Sequence, residues 1–190
     1  NLVLGTISGD VSGTVSNLME GGQADLSLLL ETGDLTQSVA MFVPGLTKRA
    51  RSLFSGTAQV RATMRGQAGA DLRIDDIDVT TRSALLRLTA SGSISLVPAR
   101  QRGSLPSTRF EVLAETEQLD ELVGLYRGRV PFEASAQARG VLTGSLGNFR
   151  VDDVVISASG EHGSLSANGY LERLGGTTKP WIEFTAKAET

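Results

Sequence analysis

The chain has 190 residues, of which 40% are hydrophobic, 21% charged and only 5% aromatic, with no cysteine and a formal net charge of −3. That composition excludes a disordered polymer and a disulfide-stapled miniprotein, and the length suits one domain or two small ones. With a single histidine, His162, and no thiol, most zinc arrangements and cysteine chemistry are excluded, and a Ser-His-Asp site is disfavoured. No cofactor is expected. Mild acidity without a basic stripe argues against nucleic acid, and no apolar run approaches the ~20 residues needed to span a bilayer.

In chain order, the main signal is two-residue alternation, which sends successive side chains to opposite faces of a sheet. It runs through Leu26, Leu28 and Leu30; Val60, Ala62 and Met64; Leu72 and Ile74; Leu86, Leu88 and Ala90; and Ile94 and Leu96. It resumes at Phe110, Val112 and Ala114; Phe149 and Val151; Val154, Ile156 and Ala158; Leu165 and Ala167; and Phe184 and Ala186. Arg61, Arg73, Arg87 and Arg150 take the alternate positions. Roughly a dozen strands are predicted, and glycines at Gly21-Gly22, Gly66 to Gly69, Gly160 to Gly163 and Gly175-Gly176 supply the turns. Such short connections make neighbouring strands antiparallel.

Two segments break the alternation. Thr32 to Phe42 places Leu35, Val39 and Phe42 at helical spacing, and Thr116 to Tyr126 does the same with Leu119, Val123 and Tyr126. In each, a leading threonine caps the first turn. Pro44-Gly45 ends the first helix, and Leu46 to Phe54 adds a turn carrying Lys48, Arg49 and Arg51, read as a solvated helix face.

Asp75-Asp76 and Asp152-Asp153 admit three readings, calcium ligation, paired carboxylates for acid–base work or a β-bulge. The bulge is preferred, because Ile74 and Ile77 are three apart and a change of phase between them restores both to one face. His162 in Gly160-Glu161-His162-Gly163 reads as a solvated turn residue, and Trp181 after Pro180 as part of a strand.

The chain repeats itself. Asp25 to Phe42 aligns with Arg109 to Tyr126 at an offset of 84, Ala58-Gln59-Val60-Arg61 with Ala136-Gln137-Ala138-Arg139 at 78, and Ile74-Asp75-Asp76-Ile77 with Val151-Asp152-Asp153-Val154 at 77. Phe184 and Ala188-Glu189-Thr190 match Phe110 and Ala114-Glu115-Thr116 at 74. The expected unit of ~75 to 85 residues is a strand ending in Glu-Thr, a short helix and about four strands. The whole, 1–190, is read as one continuous segment of a longer repeat protein: 1–23 ends a preceding unit, 24–107 and 108–181 are two units, and 182–190 starts another.

The order of Leu119-Asp120-Glu121-Leu122-Val123-Gly124-Leu125, Pro131 to Gly140, Phe149 to Val154 and Gly163 to Gly169 resembles the repeat of AsmA-like, TamB-related proteins. It is seen a second time from Phe54-Ser55-Gly56 through Ser91-Gly92. The resemblance covers about two thirds of the chain, with motifs that are degenerate singly and more specific in order. It implies a long, curved, mostly antiparallel sheet, an open or taco-like trough with two short helices, tethered to the inner membrane and lying in the Gram-negative periplasm. It further implies a non-enzymatic role in phospholipid transport between the membranes or in outer-membrane homeostasis. The implied partners are phospholipid acyl chains, neighbouring repeats and proteins of either membrane. The expected groove lining is Leu26, Leu28, Leu30, Val60, Ala62, Met64, Leu72, Ile74, Leu86, Leu88, Ile94, Leu96, Phe110, Val112, Phe149, Val151, Val154, Ile156, Leu165 and Phe184. Two alternatives remain open: a structural or adhesive repeat with a fully packed core, and a soluble carrier of hydrophobic ligands.

Overall fold

The computed structural model describes residues 2–17, 22–37, 55–67, 72–96, 107–127, 133–145, 148–174 and 177–188. Eleven strands form a single sheet in which each pairs antiparallel with its sequence neighbours, so spatial order equals chain order. They are β1 (Leu2–Leu4), β2 (Ile7–Ser16), β3 (Gln23–Thr32), β4 (Gly56–Gln67), β5 (Leu72–Ser83), β6 (Arg87–Leu96) and β7 (Ser107–Thr116). Helix α1 (Leu119–Arg127) precedes β8 (Ala134–Ser145), β9 (Asn148–Gly160), β10 (Gly163–Leu174) and β11 (Thr177–Ala188). The sheet does not close: β1 and β11 are its two edges.

Both helices begin as expected. Residues 35–37 are helical, and the Asp34 and Gln118 amides donate to the Thr32 and Thr116 hydroxyls, each at 3.1 Å. These two threonines are the buried polar residues of the described chain, and each satisfies an otherwise orphaned helix-start amide in a part-buried position. Asp34 then accepts from the Gln37 amide at 2.9 Å. Leu35, Leu119 and Val123 are half-buried, with α1 packed beside β8. Val39, Phe42 and the stretch from Leu46 to Phe54, with Lys48, Arg49 and Arg51, lie outside the described residues.

The paired aspartates are bulges. Asp76 and Asp153 take φ of 50° and 52°, the left-handed region that an L-residue enters at a cost and that Asp tolerates better than most. The register slips at these points. Ala62 stands unmatched between the pairs Arg61–Asp78 and Thr63–Asp75, and Gly140 between Arg139–Val155 and Val141–Asp152. The slip keeps Ile74 and Ile77 on one face, as it does Val151 and Val154. Because the extra residue crowds that face, small residues stand opposite: Ala62 is buried, and a Cβ on Gly140 would come within 2.8 Å of Val151 Cγ1.

The equivalence between the two halves extends to side chains. Gln59 donates to Glu31 at 2.5 Å and Gln137 to Glu115 at 3.2 Å, and Gly66 and Gly144 share φ of 124° and 122°. Two details differ from the sequence reading. Among the described residues three strands, β4 to β6 or β8 to β10, follow each helix before the next Glu-Thr-type strand, where about four were expected. And Gly169 pairs with Ile182 where Gly92 pairs with Phe110, so β11 sits two residues away from the alignment of Phe184 with Phe110. The pairing is set by backbone fit at the glycine: a Cβ on Gly169 would lie 2.0 Å from the Trp181 carbonyl oxygen, as one on Gly92 would from that of Arg109.

The left-handed backbone at Asp76 sets a test. Asp76→Gly, which adopts that φ without steric cost, is expected to keep or raise stability in urea unfolding. Asp76→Val is expected to lower it by about 1–2 kcal/mol.

Candidate functional site

Residues paired across an antiparallel ladder share a face, so the register sorts every strand. One row reads Leu30, Val60, Val79, Ala90, Val112 and Gly140 from β3 to β8. The next reads Leu28, Ala62, Ile77, Gly92, Phe110, Leu142, Val151 and Leu171. On either side run Leu26, Met64, Ile74 and Ile94, continuing to Phe149, and Leu88, Ala114, Ala138, Ile156, Ala167 and Phe184. In β2, Val11 pairs with Leu28 and Val15 with Ala24, extending the face toward the other edge. Val154 and Leu165 belong to it through Gly169 and Ala158, and Leu72 and Leu96 pair with one another at its rim. All but one of the expected lining residues therefore stand on strands and on one face.

The exception is Leu86. The Ser83 amide donates to its carbonyl at 2.9 Å and the Leu86 amide to the Ser83 hydroxyl. This closes the turn from Ser83 to Leu86, and β6 begins only at Arg87. Leu86 is thus a half-buried turn residue, not part of a strand.

Nothing in the described chain covers this face: every extensive contact between elements is between adjacent strands, apart from α1 beside β8. Ala62, Ile77 and Ala167 are the only buried apolar residues described, and no large side chain is fully buried. Phe184 is 64% and Val11 53% exposed. The accessible surface is 13023 Å², against about 8,700 Å² for a compact folded chain of 20.0 kDa. A packed sandwich or barrel of this length would be nearer the lower figure.

The opposite face carries Arg61, Arg73, Arg87 and Arg150, as expected. Its aliphatic exceptions include Leu29, Leu113, Val141 and Val155. Open depressions of about 890 and 790 Å³ lie on this side, the first bounded by Glu115, Gln137, Ser157, Ser166 and Lys187, the second by Arg61, Asp78, Glu111 and Arg139. The sequence reading put the groove on the apolar side.

Sequence reasoning missed the cluster on this side formed by Arg150, Tyr170 and Trp181. Tyr170 and Trp181 stack with centroids 5.9 Å apart and planes 18° from parallel, and the Arg150 guanidinium lies 4.6 Å above the Tyr170 ring. Asp152 accepts a hydrogen bond from Arg150 and so holds the guanidinium pKa above its ordinary value, with the nearby Glu172 adding to it. The sequence reading took Trp181 only as part of a strand and did not single out Tyr170; register shows that they are partners. His162 is exposed in the turn between β9 and β10.

No protein-family model, curated protein or solved structure matches the chain. Among the described residues no helix is long and apolar enough to cross a membrane.

The uncovered face should bind an environment-sensitive apolar dye such as anilinonaphthalene sulfonate. Val112→Asp, in the middle of that face, is expected to lower the bound fluorescence, while Arg61→Ala on the other side leaves it unchanged.

Proposed function

We propose that this chain is a non-enzymatic lipid-binding segment whose apolar face shelters the acyl chains of phospholipids, serving their passage between inner and outer membranes or outer-membrane homeostasis. The observation that carries the reading is the apolar face itself, continuous from β2 to β11 and, among the described residues, without a covering layer. Ten strands at ~4.8 Å spacing make it about 45 Å long across the strands. It is built of Leu, Val, Ile, Ala and Gly with few rings, a surface without directional groups. Such a wall suits a long, chemically uniform apolar chain, for which shelter from water contributes about 0.8 kcal/mol per methylene. A ligand that needed orientation would require convergent polar groups. The resemblance to AsmA-like repeats favours the same reading, and with it a periplasmic location tethered to the inner membrane.

Photocrosslinkers at Leu28, Val60 and Val112 are expected to capture phospholipid, and crosslinkers at Arg61 and Arg87 to capture none. Equal labelling of both faces would refute the reading. So would an absence of lipid in native mass spectra of the purified chain combined with unlabelled Leu28 and Val112.

A further inference from the structure

The two bulges place corresponding polar-face residues at corresponding points of the sheet, and the two halves use that place differently. In the second half it is filled: Arg150 is bonded to Asp152 and stacked on Tyr170, which stacks on Trp181. By register the same positions in the first half are Arg73, Asp75, Ser93 and Arg109, since Arg73 pairs with Ser95 as Arg150 does with Glu172, and Ser93 pairs with Arg109 as Tyr170 does with Trp181. Where rings stand in one half, the other has a hydroxyl and a guanidinium. They line an open depression of about 300 Å³ together with Asp75, Ser95 and Thr108. That is roughly ten times the ~30 Å³ a water occupies in the liquid, enough for a phosphate group and a short substituent.

The groups around it are uncommitted. Among the described residues, Arg73, Arg109 and Asp75 make no ion pair or side-chain hydrogen bond, in contrast to Arg65 with Asp25 and Arg150 with Asp152. Arg73 and Arg109 are exposed and Asp75 is half-buried. They sit on β5 and β7, two strands and two residues apart along the ladder, about 12 Å between Cα atoms at standard spacings. Two guanidiniums can thus approach one anion from opposite sides, with the Ser93 and Ser95 hydroxyls beneath it.

The geometry points to a binding site for a zwitterionic phosphoamine group, its phosphate taken between Arg73 and Arg109 and its ammonium by Asp75. A simple anion would meet the Asp75 carboxylate unpaired; a phosphoethanolamine group uses all three charges. This deepens the proposed function and rests on it for the source of the ligand, the headgroup of a phospholipid whose acyl chains lie on the apolar face. Arg73 and Ser95 are each one residue from a strand end, Leu72 and Leu96, so a headgroup there reaches the apolar face around the rim. A soluble phosphoethanolamine ester shares the chemistry.

The test is titration of the 190-residue chain with glycerophosphoethanolamine and, separately, inorganic phosphate, followed by phosphorus NMR. Saturable binding of the ester is expected, weakened about tenfold or more by Arg73→Gln and by Arg109→Gln, and unchanged by Arg61→Gln on the same face. Arg73→Lys, which retains charge but loses the planar fork, serves if the glutamine variant loses its circular dichroism. Asp75→Asn should weaken the ester while leaving or tightening phosphate. No saturable binding, an equal response at Arg61, or tightening of both ligands by Asp75→Asn overturns the site. Vesicles of phosphatidylethanolamine separate the sources. Lipid capture at Val112 that is insensitive to Arg73 and Arg109 leaves the lipid reading intact and refutes the headgroup site; binding of the soluble ester without uptake from vesicles refutes the lipid source.

Discussion

A meander of antiparallel strands stays two-sided only if every strand keeps phase with its neighbour, because a slip of one residue turns its whole apolar set to the other side. Here phase is kept across all the long strands, from Val11 in β2 to Phe184 in β11. Everything else follows from it: among the described residues, a face with almost no polar side chain, a face that holds nearly all the charge, and few fully buried side chains. The bulges at Asp76 and Asp153 are where phase would otherwise be lost. Each inserts one residue, and the crowding it causes is relieved by the small residue facing it, Ala62 or Gly140.

The bulges also explain why the two halves are alike where they are. The residues held in common, Glu31 and Glu115 with their glutamine partners, Thr32 and Thr116 under the helix starts, and the left-handed aspartates, all perform a backbone or strand-end task. Those that differ, Ser93 against Tyr170 and Arg109 against Trp181, perform none of these and stand where the polar face meets solvent. Geometry constrains the first group. The second is free to carry unit-specific chemistry, stacking in one half and an open pair of guanidiniums in the other.

Much of this was legible in the residues. Alternation is a direct statement about faces, and the three-residue step from Ile74 to Ile77 required a change of phase where the bulge stands. The threonines before Leu35 and Leu119 marked helix starts because a short hydroxyl side chain at that point has a specific amide to satisfy. What was not legible depends on pairing between strands. Matching Phe184 to Phe110 by residue type missed the two-residue displacement of β11, which backbone approach at Gly169 decides. Leu86 continued the alternation but fell in a turn closed by Ser83, and Trp181 gained a partner only once β10 and β11 were in register. The depressions on the polar side are each lined by residues of several strands, so no single segment carries them.

An open layer of this kind divides recognition between its faces. The apolar side gains free energy from any hydrocarbon laid against it, in proportion to area and with little regard to chemistry, since its rows hold no convergent donors or acceptors. It can therefore supply affinity but hardly selectivity. Selectivity among ligands that share acyl chains has to come from groups with direction and charge, and in this molecule those lie on the opposite side, within reach of the apolar face only at the strand ends. On the proposed reading, the rim at Leu72 and Leu96, with Arg73, Asp75 and Arg109 beside it, is the place where both kinds of contact can be made by one amphipathic ligand. Binding there would also be linked to folding, because a ligand that covers the apolar face binds the paired sheet and not the unfolded chain, and stabilises it by mass action. On that reading, a sheet that buries so little of its own surface would be coupled to its ligand in stability as well as in function.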